Sequence, residues 1–251
     1  MRKTVLLQVC DDGLRYKEVL GKGFIGRVTN MNKYEKSDIK INNIRQLKVN
    51  FKKKNLFIIL DGEELYIKIM ILPKLKKEKI YEIIRSELEY RFKNIDNIMF
   101  TYQIIKDNGS NLEAIVLCLN WSRMDLVEDC VKRGAKLKGI YPIQFCILDN
   151  YKRIIKEKKY IFTFLYKGIL YFLACSDNKI IANSVVKPFI EKNFMNELDK
   201  FQTKCNVLEI FKDLPKIVLL NLSGEGLIKN IKKLYKCYDL GNICEDEIQF
   251  V

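Results

Sequence analysis

The chain has 251 residues, 48% hydrophobic and 30% charged, and its 45 Lys and Arg outnumber its 31 Asp and Glu for a formal net charge of +14. This length suits one large domain or two small ones, and the balance is globular; a collagen, a mucin, an acidic tail protein and wholesale disorder are excluded. Histidine is absent, which excludes a Ser-His-Asp triad, a His-ligated zinc and an imidazole base.

Thr4–Val9 reads as a short apolar strand, Asp11-Asp12-Gly13 as a turn and Leu14–Leu20 as the returning strand. Phe24–Thr29 follows as a third strand, then Leu47–Phe51 and Asn55–Leu60 on either side of a lysine triplet. Asp61-Gly62 carries a hairpin signal, with Glu64–Leu72 as the partner strand and Pro73 as its end. Glu78–Phe92 is expected to be a helix, because Ile80, Ile83, Ile84, Leu88 and Phe92 recur at helical spacing. Ile98–Ile105 and Leu112–Leu119 are strands around Asp107-Asn108-Gly109-Ser110.

Ser122 with Asp125 has the spacing of a capping box. The helix it opens should turn Leu126, Val127, Cys130 and Val131 inward and stop at Gly134. Lys136–Tyr141 is a strand, and Pro142 opens a helix to about Lys156. Tyr160–Leu165 and Ile169–Ala174 form a hairpin about Lys167-Gly168, extended by Lys179–Val186. Phe189–Thr203 is helical, Ile217–Leu222 a buried strand and Leu227–Tyr238 an amphipathic helix. There is no sequence repeat. Hairpins before helices argue for a mixed α/β fold rather than a purely parallel doubly wound sheet.

The basic residues fall in short, scattered runs, most of them interrupted by Glu or placed on helices with apolar faces. That is the pattern of a solvated surface in a Lys- and Ile-rich protein, with attraction to an anionic membrane surface or to nucleic acid as the other readings. Eight cysteines contain no C-x-x-C pair, and Cys10, Cys118, Cys146 and Cys175 lie within or at the ends of apolar runs. They are expected to be free thiols acting as small hydrophobes in a reducing compartment. No secretory signal or membrane-spanning run is recognised, since a span needs about 20 apolar residues.

Gly21-Lys22-Gly23-Phe24-Ile25-Gly26-Arg27-Val28 fits the glycine loop of protein kinases. The rest of the kinase set is missing: there is no D-F-G, no H-R-D and no A-P-E. A dinucleotide site needs a helix opening at the third glycine, whereas Val28-Thr29-Asn30-Met31-Asn32 is not helical in character. A glycine-rich β-turn is the expected reading.

One region resembles a known family. Ile69-Met70-Ile71-Leu72-Pro73, the helix Glu78–Phe92, Met99–Ile105, Leu112–Cys118 and the helix ending Cys130-Val131-Lys132-Arg133-Gly134-Ala135 follow one another in the order of the inserted subdomain of PilM. PilM is the actin-like protein of type IV pilus assembly, and its division relative FtsA carries the same kind of insertion. The order of elements over residues 55–134 carries the resemblance, with no single diagnostic motif. Leu220-Asn221-Leu222-Ser223-Gly224-Glu225-Gly226 resembles the glycine-bearing turn near that family's adenosine site.

The resemblance implies an actin-like fold of ribonuclease H-like lobes. Residues 1–72 and 135–157 would form the first lobe, 73–134 the inserted subdomain and 158–251 a reduced second lobe. Actin-like ATPases hold phosphate and magnesium with two hairpins bearing Asp-x-Gly. Here Gln8 stands where the family has Asp and Cys10 where it has Gly, Asp11 and Asp12 are displaced into the turn, and the second hairpin, Tyr160–Ala174, has no carboxylate. Between Pro188 and Pro215 the chain is too short for a further subdomain.

The expectation is therefore a non-enzymatic scaffold with no catalytic, cofactor-binding or metal residues. It would bind the cytoplasmic tail of a PilN-like inner-membrane protein, with other pilus platform or motor components as further partners. It would stand in the cytoplasm at the inner face of the cell membrane, with peripheral membrane association and no nucleic acid. Leu72, Pro73, Ile84 and Leu88 are the candidates for lining an apolar groove that takes the tail. An ATP-binding member using Asp11 and Asp12, a basic nucleic-acid binder, a type II secretion platform domain and an FtsA-like protein remain as alternatives.

Overall fold

In the computed structural model, residues 3–11, 13–19, 34–41, 49–211 and 213–243 are described. The glycine loop at 21–28, the expected strand Phe24–Thr29, Asp12 and Cys244 lie outside them. The chain divides into two compact units, one from Met1–Glu63 and Arg123–Tyr151, the other from Glu64–Ser122 and Lys152–Glu245.

In the first unit, β1 (Thr4–Cys10), β2 (Gly13–Val19) and β3 (Tyr34–Ile41) form an antiparallel meander. β4 (Asn55–Leu60) then runs parallel beside β1, and β8 (Lys136–Pro142) parallel beside β4, for a sheet order β3-β2-β1-β4-β8. Val5 to Cys10 are all buried, because β1 is covered on both faces; that is why it reads as a continuous apolar run without alternation. Between β4 and β8 comes α2 (Met124–Lys132), with Leu126, Val127 and Cys130 buried, and after β8 comes α3 (Ile143–Tyr151). Gly134 ends the α2 turn at φ 92°, and a Cβ there would stand 3.1 Å from the Lys52 Cα, so both conformation and space call for glycine.

The second unit repeats this order. β9 (Lys159–Tyr166), β10 (Ile169–Ser176) and β11 (Lys179–Val186) form an antiparallel meander; β12 (Lys216–Leu220) runs parallel beside β9 and β13 (Cys237–Asp239) parallel beside β12. The sheet order is β11-β10-β9-β12-β13. The β9–β10 turn has left-handed conformations at Lys167 (φ 50°) and Gly168 (φ 75°), the requirement of a two-residue hairpin with the twist of its strands. α4 (Phe194–Val207) and α5 (Glu225–Leu234) cover one face through Phe194, Leu198, Phe201, Leu227 and Ile231. Between Pro188 and Pro215 stand one 3-10 turn (Glu191–Asn193) and α4.

The same unit holds a smaller sheet, β5 (Tyr66–Pro73), β7 (Asn111–Asn120) and β6 (Ile98–Asp107), antiparallel in the order β5-β7-β6. α1 (Lys77–Phe92) packs Ile80, Ile84 and Leu88 onto Leu72, Leu112, Ala114, Val116 and Cys118.

Several expectations need correction. Asn55–Leu60 and Glu64–Leu72 are not a hairpin. β4 is held between β1 and β8 and has no edge for β5, and the Asp61 N–H extends the parallel ladder to Val9 O at 2.9 Å. β5 instead pairs with β7 in the three-stranded sheet. The Ser122–Asp125 capping box does not form, because the helix starts one residue later, with Arg123 as its uncapped N-cap. Val131 is exposed rather than inward. Val49–Phe51 is not a strand; Phe51 instead packs edge-on against Tyr16 and beneath the Arg133 guanidinium. The helix after Pro142 stops at Tyr151, and the last helix stops at Leu234, where Tyr235 turns extended to lead into β13.

Candidate functional site

Parallel α/β sheets gather polar side chains at the carboxyl ends of their strands. In the first unit the ends of β1 and β4 bring together Gln8, Cys10 and Asp61. The Gln8 side-chain amide donates to both carboxylate oxygens of Asp61, at 2.9 and 2.8 Å, and the Cys10 thiol donates to Oδ2 at 3.0 Å. All three side chains are buried. A carboxylate with both oxygens engaged by neutral donors inside a protein is a structural acceptor; a hard cation would have to displace those donors to reach it.

Neighbouring groups extend this polar end. Gln144, wholly buried on the first turn of α3, donates to Glu63 O at 2.5 Å, while its Oε1 has no partner. The Cys146 thiol is pushed up to about 12 by burial and the nearby Asp61 carboxylate. Among the described residues no group of three or more Cys, Asp or Glu is placed to hold a metal ion. Asp11 is exposed in the β1–β2 turn.

The hairpin of the second unit carries aromatic rings in place of carboxylates. Phe164 stacks on Tyr171 with centroids 4.6 Å apart, and Phe162 sits 5.3 Å from Phe164; all three are fully buried. These rings supply no oxygen ligand for a hard cation. The buried thiols are likewise inert. Burial pushes Cys118 and Cys130 up to about 11 and Cys205 to about 12, so they stay protonated at neutral pH.

A different feature lies beside β5. A cleft of about 290 Å³ is lined by Glu64, Leu65, Ile67, Ala182, Asn183 and Lys204, all in the second unit. The buried Asn183 side chain bridges two strands like a piece of ladder, accepting from Leu65 N at 3.0 Å and donating to Leu65 O at 2.7 Å. Lys204 donates to Glu64 Oε1 at 2.9 Å and to Asn183 O at 2.8 Å.

Of the four residues expected to line a groove, Leu72, Ile84 and Leu88 are sealed in the core beneath α1. A partner could not touch them without opening that core. Pro73 is exposed at the end of β5. The accessible apolar side chains are instead the alternate ones of β5, Ile69 at 46% exposure and Ile71 at 74%. Alternation along the strand was visible in the sequence; which face would be covered depended on strand pairing, which was not.

No family model and no curated protein matches the sequence. Solved structures do match. A protein of Bacteroides thetaiotaomicron described as having an actin-like ATPase fold and unknown function is 11% identical, over 95% of this chain and 91% of its own, with a TM-score of 0.56. The chain has an actin-like fold. A PilM–PilN type IV pilus biogenesis complex matches over 98% of this chain and 93% of the other, at 11% identity and a TM-score of 0.60. The cytoplasmic domain of EpsL, an inner-membrane component of the type II secretion system of Vibrio cholerae, matches over 89% and 84%, at 8% identity and a TM-score of 0.53. The actin-like fold is therefore shared with proteins of pilus and secretion platforms. Among the described residues no helix is long and apolar enough to cross a membrane.

Proposed function

We propose that this protein is a non-enzymatic scaffold of an inner-membrane assembly platform, of the type IV pilus or type II secretion kind, that binds the cytoplasmic tail of a bitopic membrane protein resembling PilN. It would work at the inner face of the membrane, with the platform and its motor as further partners. The observation that carries the reading is the engagement of Asp61 by Gln8 and Cys10. An actin-like fold whose buried carboxylate is already satisfied by neutral side chains keeps the architecture without the cation-binding chemistry. The likeness to a PilM bound to PilN supplies the kind of partner.

Basic side chains support docking more than nucleic-acid binding. Lys54, Lys68, Lys74, Lys79, Lys132, Lys200, Lys204 and Lys216 each face a carboxylate, so part of the positive charge is matched within the protein. The test is affinity capture from detergent-solubilised membranes of the native cell, followed by binding of a synthetic peptide of the captured protein's cytoplasmic tail. The reading expects a single-span protein with a short tail, and saturable binding by that tail alone. Failure of every inner-membrane protein to bind would remove it.

A further inference from the structure

Parallel pairing of β9, β12 and β13 puts the amino ends of all three strands at one end of the second unit. α4 leads into β12 and α5 into β13, so the carboxyl ends of both helices come to the same place. Contacts between the segments tie this end together. Lys159 Nζ donates to Ile210 O at 3.3 Å, the Tyr235 hydroxyl to Gln202 Oε1 at 3.1 Å and Ile217 N to Lys236 O at 2.9 Å, while Lys216 pairs with Glu157 at 2.5 Å. It lies opposite the carboxyl ends of the strands, where α/β sheets gather ligands.

Two kinds of side chain project here. Val207 closes α4, Leu208 caps it, Leu214 precedes β12 and Leu234 closes α5; they are 78, 53, 63 and 61% exposed. Lys156, Lys158, Lys232, Lys233 and Lys236 are exposed as well, and none of them is ion-paired among the described residues. The nearby carboxylates are fewer: Glu157 is taken up by Lys216, which leaves Glu209, Asp213 and Asp177. Lysines in the last turn of a helix answer its dipole. That accounts for Lys232 and Lys233, but not for the aliphatic side chains standing in water beside them.

We infer that this end of the second unit rests on an anionic lipid surface, with Leu208, Leu214 and Leu234 entering the headgroup layer and the unpaired lysines meeting lipid phosphates. This rests on the placement at the inner face of the membrane proposed above, and names the surface that touches it. Apolar burial and attraction to anionic lipid add in such binding. The charge that is not matched within the protein is thereby matched outside it. A second copy of this chain fits less well, since it would bring the same lysines and a like net charge of +14. Nucleic acid would use the lysines but not the leucines, because single strands are held by stacking on aromatic rings.

The probe is a set of vesicles, phosphatidylcholine alone or mixed with an equal part of phosphatidylglycerol, sedimented with the full chain. The expected result is binding to the mixed vesicles only, weakened by salt. Lys232→Gln together with Lys233→Gln should weaken it about twentyfold, at about fivefold per lysine. Leu234→Ser should weaken it about tenfold. Leu234→Trp gives a direct reading: its fluorescence should shift to the blue on the mixed vesicles, against a buried Trp121 that stays constant. Absence of binding, binding indifferent to phosphatidylglycerol, or binding that the lysine pair and Leu234→Ser leave at wild-type strength overturns the lipid face. So does self-association of the wild type that Leu234→Ser abolishes, or capture of RNA that needs the lysines and ignores Leu234. If the captured partner's tail binds the wild type and the vesicles do not, the lipid face is wrong and the scaffold reading stands. If the vesicles bind as expected and no inner-membrane protein does, the scaffold reading falls and the lipid face stands.

Discussion

At the scale of single residues, Gln8 and Asp61 form a buried amide–carboxylate pair at the ends of β1 and β4. Restoring an acid with Gln8→Asp would set two carboxylates against each other in a buried place, where like charges resist joint ionisation. The cost belongs to the doubly charged state, so it grows as pH rises and is relieved as one carboxyl protonates. The expected loss is about 2 kcal/mol at neutral pH and less near pH 5, read from denaturant unfolding at both values. An equal loss at both would show that the two groups do not meet. Glu18 behaves in the opposite sense. The Lys54 ammonium, and after it the Tyr16 hydroxyl donating at 2.5 Å, hold its carboxyl below the usual range. Its stabilisation is complete above the unfolded carboxylate's pKa of about 4.3 and is lost as pH falls through the lower folded value. The stability gap between wild type and Glu18→Gln should therefore be widest near neutrality and close in acid; a gap that widens in acid would contradict the pairing.

Elements were legible to the extent that they advertise themselves locally. The stripe of Ile80, Ile84 and Leu88 gave α1, and Lys167-Gly168 gave the β9–β10 hairpin, because helix period and turn chemistry are properties of a few adjacent residues. Partnership was not legible. Asp61-Gly62 has the composition of a hairpin turn, yet Asp61 is a buried acceptor at a strand end and β5 leaves for another sheet. The same blindness put Leu72, Ile84 and Leu88 in a groove when α1 seals them in. Two substitutions separate these roles. Ile84→Ala should cost about 2–4 kcal/mol by opening a cavity in a packed core. Ile71→Lys, at a site 74% exposed, should change stability by no more than about 0.5 kcal/mol. Thermal melts of the two variants check the pair, and a large loss at Ile71 would mean that its side chain is covered.

Over the whole molecule, the repeated architecture carries no repeated sequence. Both five-stranded sheets run an antiparallel meander followed by two parallel strands on the other side of the first, but β1 packs aliphatic residues where β9 packs aromatic ones. Strand order is dictated by which faces must be covered and which connections are short, and many residue sets satisfy that. That position 8 is Gln and position 10 Cys can be read from the sequence alone. The engagement of Asp61 by Gln8 and Cys10 cannot, since those partners come from strands far apart in the chain.

The central proposal is that this actin-like fold has its Asp61 carboxylate taken up internally by Gln8 and Cys10 and binds no nucleotide. Differential scanning fluorimetry with magnesium and ATP tests it most directly, because a ligand at about 100 times its Kd would stabilise the native state by about 2.7 kcal/mol and raise Tm by several degrees. The account predicts an unchanged Tm through millimolar magnesium–ATP. A saturable rise that requires the metal and disappears in Asp61→Asn would contradict it.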